Sequence, residues 1–256
     1  MANLQIELFP CREDNFGVLI HDPQTGVTAS IDAPEEAPIV EALNRTGWEL
    51  NHILITHHHY DHVEANSVLK AKYRADITGP ASEADKIPGI DRTVRDGDSF
   101  HFGSFSVEVI ETPGHTLGHV CYYIPDAAVL FAADTLFALG CGRVFEGTPQ
   151  QMHHALQKLA ALPGETEVYF GHEYTEANAR FAVTIDPENA ALVQRASEIQ
   201  KMRAAGIATC PTTIEAERAT NPFLRAADPA VRANLGMEDA DDVAVFAEIR
   251  KRKDNF

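Results

Sequence analysis

The chain is 256 residues long, enough for one large domain or for a main domain with a smaller one attached. Its hydrophobic content of 45% is normal for a globular protein, and its formal net charge is −17. Such an acidic chain is a poor partner for nucleic acid or an anionic membrane, because phosphate groups would be repelled.

The sequence also indicates a cellular location. Its first residues contain no basic segment followed by a long apolar one, which a secretory signal would need. No stretch approaches the ~20 apolar residues that span a bilayer. The four cysteines are scattered without a Cys-x-x-Cys pair, as expected of free thiols in a reducing compartment. A cytoplasmic protein that does not bind membranes is therefore expected.

The predicted elements interleave strands and helices. Residues 1–34 read as successive strands, and residues 35–43 have apolar positions at helical spacing. Hairpins are predicted in residues 100–110 and 120–132, and a helix in residues 149–162. Because many strands are adjacent hairpins, a layered mixed-sheet α/β fold fits better than a doubly wound sheet.

The pattern of predicted elements changes at Tyr174, from mixed strands and helices to helices alone. Residues 168–170 form the last clear strand, and no convincing strand follows. Prolines punctuate four predicted helices, at 177–183, 190–205, 229–235 and 242–252. A smaller helical domain is therefore expected after the sheet-containing one.

A cluster of potential metal ligands occupies residues 56–62, with the sequence Thr-His-His-His-Tyr-Asp-His. It follows the apolar run 53–55, which reads as a buried strand, and a predicted helix comes after it. Imidazoles and carboxylates are the groups that bind first-row transition metals. The cluster therefore predicts a metal site where a strand ends and a helix begins.

The spacing within the cluster predicts which side chains converge. In an extended segment side chains alternate, so His57 and His59 point to one side and His58 to the other. Asp61 and His62 come round beside the first pair as the helix starts. Four ligands exceed what one tetrahedral metal needs once distant ligands are added, so two metals are expected.

Three later residues stand in the same relation to a strand. His115, Asp134 and His172 each follow a predicted strand, so the loops that carry them can meet at one edge of a sheet. Each alone has an ordinary alternative, since a lone histidine is commonly a surface residue and Asp134 could cap a helix. The cluster at residues 56–62 makes the ligand interpretation the favoured one.

Four sequence blocks resemble the metallo-β-lactamase superfamily. They are residues 56–62, Thr-Pro-Gly-His at 112–115, Asp134 in Ala-Asp-Thr, and Gly-His at 171–172. The resemblance implies an α/β fold, an αββα four-layer sandwich with its metal site at one edge of the sheets. The chain would then divide into a catalytic domain at 1–172 and a C-terminal helical substrate-binding domain at 173–256.

Within that superfamily the sequence is most similar to the glyoxalase II, or hydroxyacylglutathione hydrolase, family. Residues 140–147 resemble its substrate loop, and Gly-His-Glu-Tyr-Thr at 171–175 matches a family block. Asn-Pro-Phe-Leu-Arg at 221–225 and the basic run 250–254 resemble its C-terminal domain. The resemblance thus runs along essentially the whole chain.

The resemblance implies two divalent metal ions, with zinc expected first and iron or manganese as alternatives. One ion would be bound by His57, His59 and His115, and the other by Asp61, His62 and His172. Asp134 would bridge the two ions, and Asp61 would also orient a hydroxide that both ions share. The reaction implied is hydrolysis of S-D-lactoylglutathione to D-lactate and glutathione, the second step of methylglyoxal detoxification, by a monomeric enzyme with a small-molecule substrate.

In the family, glutathione is bound by a loop segment, a tyrosine and the C-terminal basic run. The resemblance assigns these contacts to Arg143, Phe145, Tyr174, Arg250 and Lys253. Three departures from the family pattern stand out. Glu64-Ala65 replaces a usual Gly-Gly, and Ala133 replaces a usual glycine before Asp134. Phe145 stands where a tyrosine is common, so one hydroxyl contact to glutathione would be missing.

Other functions compete with this interpretation. The same scaffold carries persulfide dioxygenases with one iron, lactonases and β-lactamases; the last would be expected in a secreted chain. A non-catalytic metal-binding or nucleic-acid-processing protein is a further alternative. The net charge of −17 disfavours RNA. A structural zinc site would be closed and rich in cysteine, whereas His and Asp ligands leave room for water.

Overall fold

The computed structural model describes residues 4–256. The chain divides into two compact units. The first takes the chain up to Glu111 together with Thr116–Ala132, and the second takes Thr112–His115 together with Ala133–Phe256. Within residues 4–256, no helix combines the length and apolar character that crossing a bilayer requires.

The first unit contains a six-stranded sheet in simple sequence order. Its strands are β1 (Gln5–Cys11), β2 (Asn15–Asp22), β3 (Val27–Ile31), β4 (His52–Leu54), β5 (Asp76–Pro80) and β6 (Arg92–Val94). The first three are antiparallel, and β3 to β6 are parallel. The parallel strands are joined through helices α1 (Glu36–Thr46), α2 (Tyr60–Val63) and α3 (Asn66–Tyr73). Carboxyl ends of β3, β4 and β5 therefore lie at one edge of the sheet.

Apolar residues of these helices pack against one face of that sheet. Ile39 and Leu43 from α1 and Leu69 from α3 join a buried cluster with strand residues such as Ile53 and Ile77. Burying such side chains is worth ~1.5–3 kcal/mol each and fixes the register of β4, the strand that leads into the histidine cluster. The helix predicted directly after the cluster at residues 56–62 is interrupted at Glu64 and Ala65, between α2 and α3.

Both predicted hairpins are confirmed in the remaining strands of the first unit. Strands β7 (Ser99–Phe102) and β8 (Phe105–Glu111) pair with Phe102 opposite Phe105, and β8 pairs with β9 (Val120–Ile124). Strand β9 pairs in turn with β10 (Val129–Ala133). Strands β9 and β10 are buried along their whole length, in agreement with their nearly continuous apolar sequence.

The second unit is mainly helical. Its elements are β11 (Leu136–Phe137), β12 (Gly140–Cys141), α4 (Pro149–Ala160), β13 (Glu167–Phe170), α5 (Thr175–Ile185), α6 (Ala190–Ala204), β14 (Thr212–Thr213), α7 (Ile214–Thr220), α8 (Pro229–Leu235) and α9 (Asp242–Asp254). Helix α4 starts with a capping box between Thr148 and Gln151 and has proline at its first position. Apolar residues of α5 and α6 pack together around Leu139.

The prediction that no strand follows Tyr174 is wrong. Strand β14 pairs with β13, with Thr212 opposite Val168. A two-residue strand is too short to show an alternating pattern, which is why the sequence did not reveal it. Helix α7 was likewise not predicted. The division into domains at residues 172 and 173 stays a prediction.

Ala133, at the end of β10, has a left-handed backbone with φ of 39°. The family pattern has glycine here, and a Cβ costs about 1–2 kcal/mol in this region. The other two departures are different, because Glu64 and Ala65 have φ of −52° and −86°, which any residue adopts. Only Ala133 therefore replaces a glycine at a strained position.

We expect Ala133→Gly to raise the free energy of unfolding by up to about 1 kcal/mol, because relief of left-handed strain exceeds the entropic cost of glycine. Urea denaturation measures the change. Ala132→Gly is the matched control, since Ala132 lies in β10 without a positive φ, and it should lower stability by about 0.5–1 kcal/mol. Equal losses in both variants would contradict the assignment of strain to Ala133.

Candidate metal centre

The first unit gathers three imidazoles just beyond the carboxyl end of β4. His57 is fully buried, and its Nε2 lies 3.2 Å from Nδ1 of His59. The rings of His57 and His62 are 4.1 Å apart between centroids. Extended backbone places the first two side chains together, and the first turn of α2 brings His62 round. Three of the predicted ligands therefore face one region.

Asp61 lies beside this group. Its Oδ2 is 3.5 Å from Nε2 of His62. Asn15, at the start of β2, donates from Nδ2 to the same oxygen at 3.0 Å and to the Asp61 carbonyl at 3.4 Å. Asn15 is buried, so it fixes both the side chain and the backbone of Asp61. The sequence did not identify Asn15, which lies 46 residues away from Asp61.

Asp32, directly after β3, orients two of the imidazoles. Its Oδ2 accepts hydrogen bonds from Nδ1 of His62 at 2.7 Å and from the hydroxyl of Thr56 at 2.8 Å. Because that hydroxyl proton is used, the Thr56 oxygen accepts from Nδ1 of His57, at 3.0 Å. Both rings thus carry a proton on Nδ1 and a lone pair on Nε2, the form in which histidine binds metals.

Asp32 was not identified from the sequence either. A signal was present, because Asp32 follows β3 just as the histidine cluster follows β4, and parallel strands bring such positions to one edge. The remaining histidines of this region serve other contacts. His58 bonds to Glu83, and the buried ring of His119 stacks on His57 at 4.8 Å.

The second unit brings together the three later predicted ligands. Oδ2 of Asp134 is 3.4 Å from Nε2 of His115 and 3.3 Å from Nε2 of His172. All three side chains are buried. Nδ1 of His115 donates to the carbonyl of Arg143 at 2.9 Å, which leaves the lone pair of this ring on Nε2. The carboxylate of Asp134 thus lies almost equally far from two imidazoles.

The donor chemistry in both units fits a metal ion. In the second unit a lone pair on His115 Nε2 faces a carboxylate oxygen, and a cation between the two atoms would satisfy both. Imidazole and carboxylate are the ligands that open, reactive sites use, and no cysteine belongs to a candidate ligand group among the described residues. His and Asp side chains of this chain are therefore positioned for metal binding.

Three of the predicted substrate residues are exposed and lie close to these ligands in the second unit. Phe145 is 61% exposed, and its ring centroid lies 5.2 Å from that of His115. Tyr174 is 39% exposed and stacks on His172 at 4.8 Å. The Arg143 side chain is 64% exposed, with Nε 4.0 Å from Asp254.

The other two predicted substrate residues are more enclosed. Arg250 is 6% exposed, and its guanidinium donates to the carbonyl of Cys141 at 3.0 Å and to Asp254 at 2.7 Å. Lys253 donates to the carbonyl of Ala177 at 3.1 Å. Burial lowers the pKa of Lys253 most, and the charges of Arg250, Arg180 and Arg143 lower it further, to about 8. Lys253 and these three arginines, here called the cation cluster, form a positive patch in an acidic chain.

Comparison with known proteins identifies the family. A family model described as hydroxyacylglutathione hydrolase C-terminus matches residues 173–256, and one described as metallo-beta-lactamase superfamily matches residues 25–172. A hydroxyacylglutathione hydrolase from Rhizobium meliloti is 64% identical over 256 residues, 100% of both chains. One from Brucella anthropi is 65% identical over 253 residues, 99% of this chain and 97% of the relative.

A solved structure shows the fold. The crystal structure of ETHE1 from Myxococcus xanthus covers 96% of this chain and 90% of its own, with a TM-score of 0.69 at 24% identity. The predicted metallo-β-lactamase fold with a C-terminal helical region is thereby confirmed. With full-length identities above 60%, the chain belongs to the hydroxyacylglutathione hydrolases of the metallo-β-lactamase superfamily.

Proposed function

We propose that this chain hydrolyses the thioester S-D-lactoylglutathione to D-lactate and glutathione, the second step of methylglyoxal detoxification. One observation carries the proposal. The chain matches hydroxyacylglutathione hydrolases over its full length, and its imidazoles and carboxylates form groups that could hold a metal ion. A cytoplasmic location and a monomeric state stay predictions.

The proposed centre holds two divalent metal ions. The ligands of the first are His57, His59 and His115, those of the second are Asp61, His62 and His172, and Asp134 is shared. Contacts inside each unit support this division, because His57 lies beside His59 and Asp61 beside His62. The near-equal distances from Asp134 to His115 and His172 suit a bridging carboxylate. The ligand set suits zinc first, and also iron or manganese.

Each part of the reaction has a group to serve it. Two divalent ions, when bound, would lower the pKa of a coordinated water toward ~7 and polarise the thioester carbonyl. Asp61, held by Asn15 at 3.0 Å, would accept a hydrogen bond from the attacking oxygen and orient it. The leaving group is a thiolate whose pKa is about 8.5, so it departs without a strong general acid.

The cation cluster supplies the binding site for glutathione, which carries two carboxylates. Arg143 is exposed, and a guanidinium can bind a carboxylate through two hydrogen bonds. Tyr174 offers an exposed ring and hydroxyl beside His172. Arg250 as a direct contact stays a prediction, because its guanidinium already binds Cys141 and Asp254. Phe145 can add only apolar contact.

Metal removal tests the centre. We expect about two metal ions per chain, complete loss of thioesterase activity after chelation, and recovery when zinc is returned. Asp134→Asn should lower kcat/KM by at least about 100-fold, since even outer partners of metal ligands are worth about 10–100-fold. Asp126→Asn is the control, because Asp126 is an exposed acid between β9 and β10. One metal ion per chain together with no thioesterase activity would contradict the proposal.

The pH dependence of KM tests Lys253. A lowered pKa means that the ammonium loses its charge as pH rises through about 8, so KM for the thioester should rise about tenfold or more above that pH. Lys253→Arg keeps its charge in this range and should abolish the rise. Initial rates corrected for spontaneous thioester hydrolysis give KM at each pH. A rise of the same size in Lys253→Arg would remove Lys253 from the binding site.

A further inference from the structure

Glu83 is a buried carboxylate at the end of β5, in the short 3-10 turn Ala81–Glu83. It accepts three hydrogen bonds. Oε2 accepts from the backbone N–H of His58 and from Nδ1 of the same residue, each at 2.9 Å, and Oε1 accepts from the backbone N–H of Gly118 at 2.8 Å. One carboxylate thus joins two segments of the chain that are 60 residues apart in the sequence.

Both segments are connected to the proposed metal ligands. His58 stands between His57 and His59 in the sequence. On the other side of Glu83, the two residues after Gly118 contact the ligand segment, because His119 stacks on His57 and Val120 donates to the Thr56 carbonyl at 2.9 Å. The histidine cluster is therefore held along its length by residues that do not bind the metal.

Gly118 permits this close approach. A Cβ at this position would collide with Oγ of Ser82 and would lie 2.6 Å from Cγ of Glu83. No side chain fits between the backbone of Gly118 and the turn that carries Glu83. The carboxylate can therefore reach the Gly118 N–H only because residue 118 is a glycine.

We propose that Glu83 is a positioning residue for the metal centre, acting through His58 and resting on the proposed function. By accepting hydrogen bonds from the backbone and the ring of His58, Glu83 fixes the extended backbone of residues 57–59. That conformation turns His57 and His59 to the opposite side, toward the metal. His58 binds no metal in this scheme, and its role is to connect Glu83 to the backbone that carries His57 and His59.

The chemistry of the pair suits a positioning role. Burying a carboxylate costs free energy that its hydrogen bonds must offset, and an apolar pair of equal volume would leave the N–H groups of His58 and Gly118 without this acceptor. What an apolar pair could not supply is the direction of the His58 ring and the fixed distance between two backbone segments. Partners that bond directly to a metal ligand are worth about 10–100-fold in metal affinity, and Glu83 acts on the ligands through His58, so an effect near the lower end of that range is expected.

Glu83→Gln tests the proposal directly. The amide keeps the size but has one acceptor oxygen, so its NH2 group faces either the donors of His58 or the N–H of Gly118, and one of the two connections is lost. We expect zinc affinity, measured by chelator competition, to fall about tenfold or more, and kcat to fall while KM for the thioester is unchanged. In the cobalt-loaded protein the visible spectrum should shift, because the ligand geometry changes.

Substitutions of His58 show whether the effect passes through that residue, even if Glu83→Gln folds poorly. His58→Leu removes the side-chain bond and should lower zinc affinity to a similar extent. His58→Asn restores a donor close to the position of Nδ1 and should recover most of it. The double variant Glu83→Gln, His58→Leu should lose less zinc affinity than the product of the fold-losses of the two single variants, because both substitutions break the same contact. Full multiplicative losses, or no rescue by asparagine, would overturn the proposal.

Asp22→Asn is the matched control. Asp22 is a buried carboxylate of the same unit that also accepts backbone N–H groups, from Gln24 at 2.9 Å and Ser104 at 2.7 Å. It lies at the far end of β2, about 24 Å along the strand from Asn15. We expect Asp22→Asn to lower the melting temperature and leave zinc affinity unchanged.

The results of these experiments distinguish failure of the positioning role from failure of the proposed function. If Glu83→Gln behaves like Asp22→Asn, losing stability but no zinc affinity, Glu83 is only structural and the positioning role is overturned. If the wild-type chain binds zinc and loses affinity on Glu83→Gln but does not hydrolyse the thioester, the positioning role stands and the substrate assignment fails. A wild-type chain that binds none of zinc, iron and manganese would overturn both.

Discussion

The first unit depends on the buried carboxylate of Asp32. Its two oxygens accept three hydrogen bonds, from the backbone and hydroxyl of Thr56 and from His62. The backbone on both sides is held as well, since the N–H of Asp32 donates to Leu54 and the N–H of Ala33 to the His62 carbonyl. Asp32 adopts a left-handed φ of 57°, which aspartate tolerates better than most residues. The turn after β3 and the ligand segment after β4 therefore form one hydrogen-bonded unit.

How much of the candidate site the sequence could predict depends on how far apart the contacting residues lie in the sequence. The ligand types and their spacing in residues 56–62 are local, so the strand-to-helix junction and the alternation of His57, His58 and His59 were readable directly. The residues that orient these ligands bond across 24, 46 and 25 positions of sequence, from Asp32, Asn15 and Glu83 respectively. No periodicity marks such pairs, because only the assembled sheet edge brings them together.

Positive charge is concentrated in the cation cluster of an otherwise acidic chain. The chain carries a net charge of −17, which would repel a substrate with two carboxylates. The cation cluster in the second unit offsets this locally, with Asp254 as the carboxylate that pairs with Arg250 and Arg143. Burial lowers the pKa of Lys253 most, and the positive charges of the three arginines lower it further against the opposing effect of Asp254. An anionic ligand would offset those positive charges, which agrees with the proposed glutathione thioester.

The two units orient their histidines with different partners, and this has a chemical consequence. In the first unit the Nδ1–H of His62 donates to a carboxylate, whereas in the second the Nδ1–H of His115 donates to the neutral carbonyl of Arg143. A carboxylate partner pushes more electron density into the ring and makes Nε2 a stronger donor to a metal. His62 should therefore hold a cation more strongly than His115. Loop 140–147 carries the Arg143 carbonyl together with two proposed substrate residues, so substrate binding in that loop would reach His115 through this hydrogen bond.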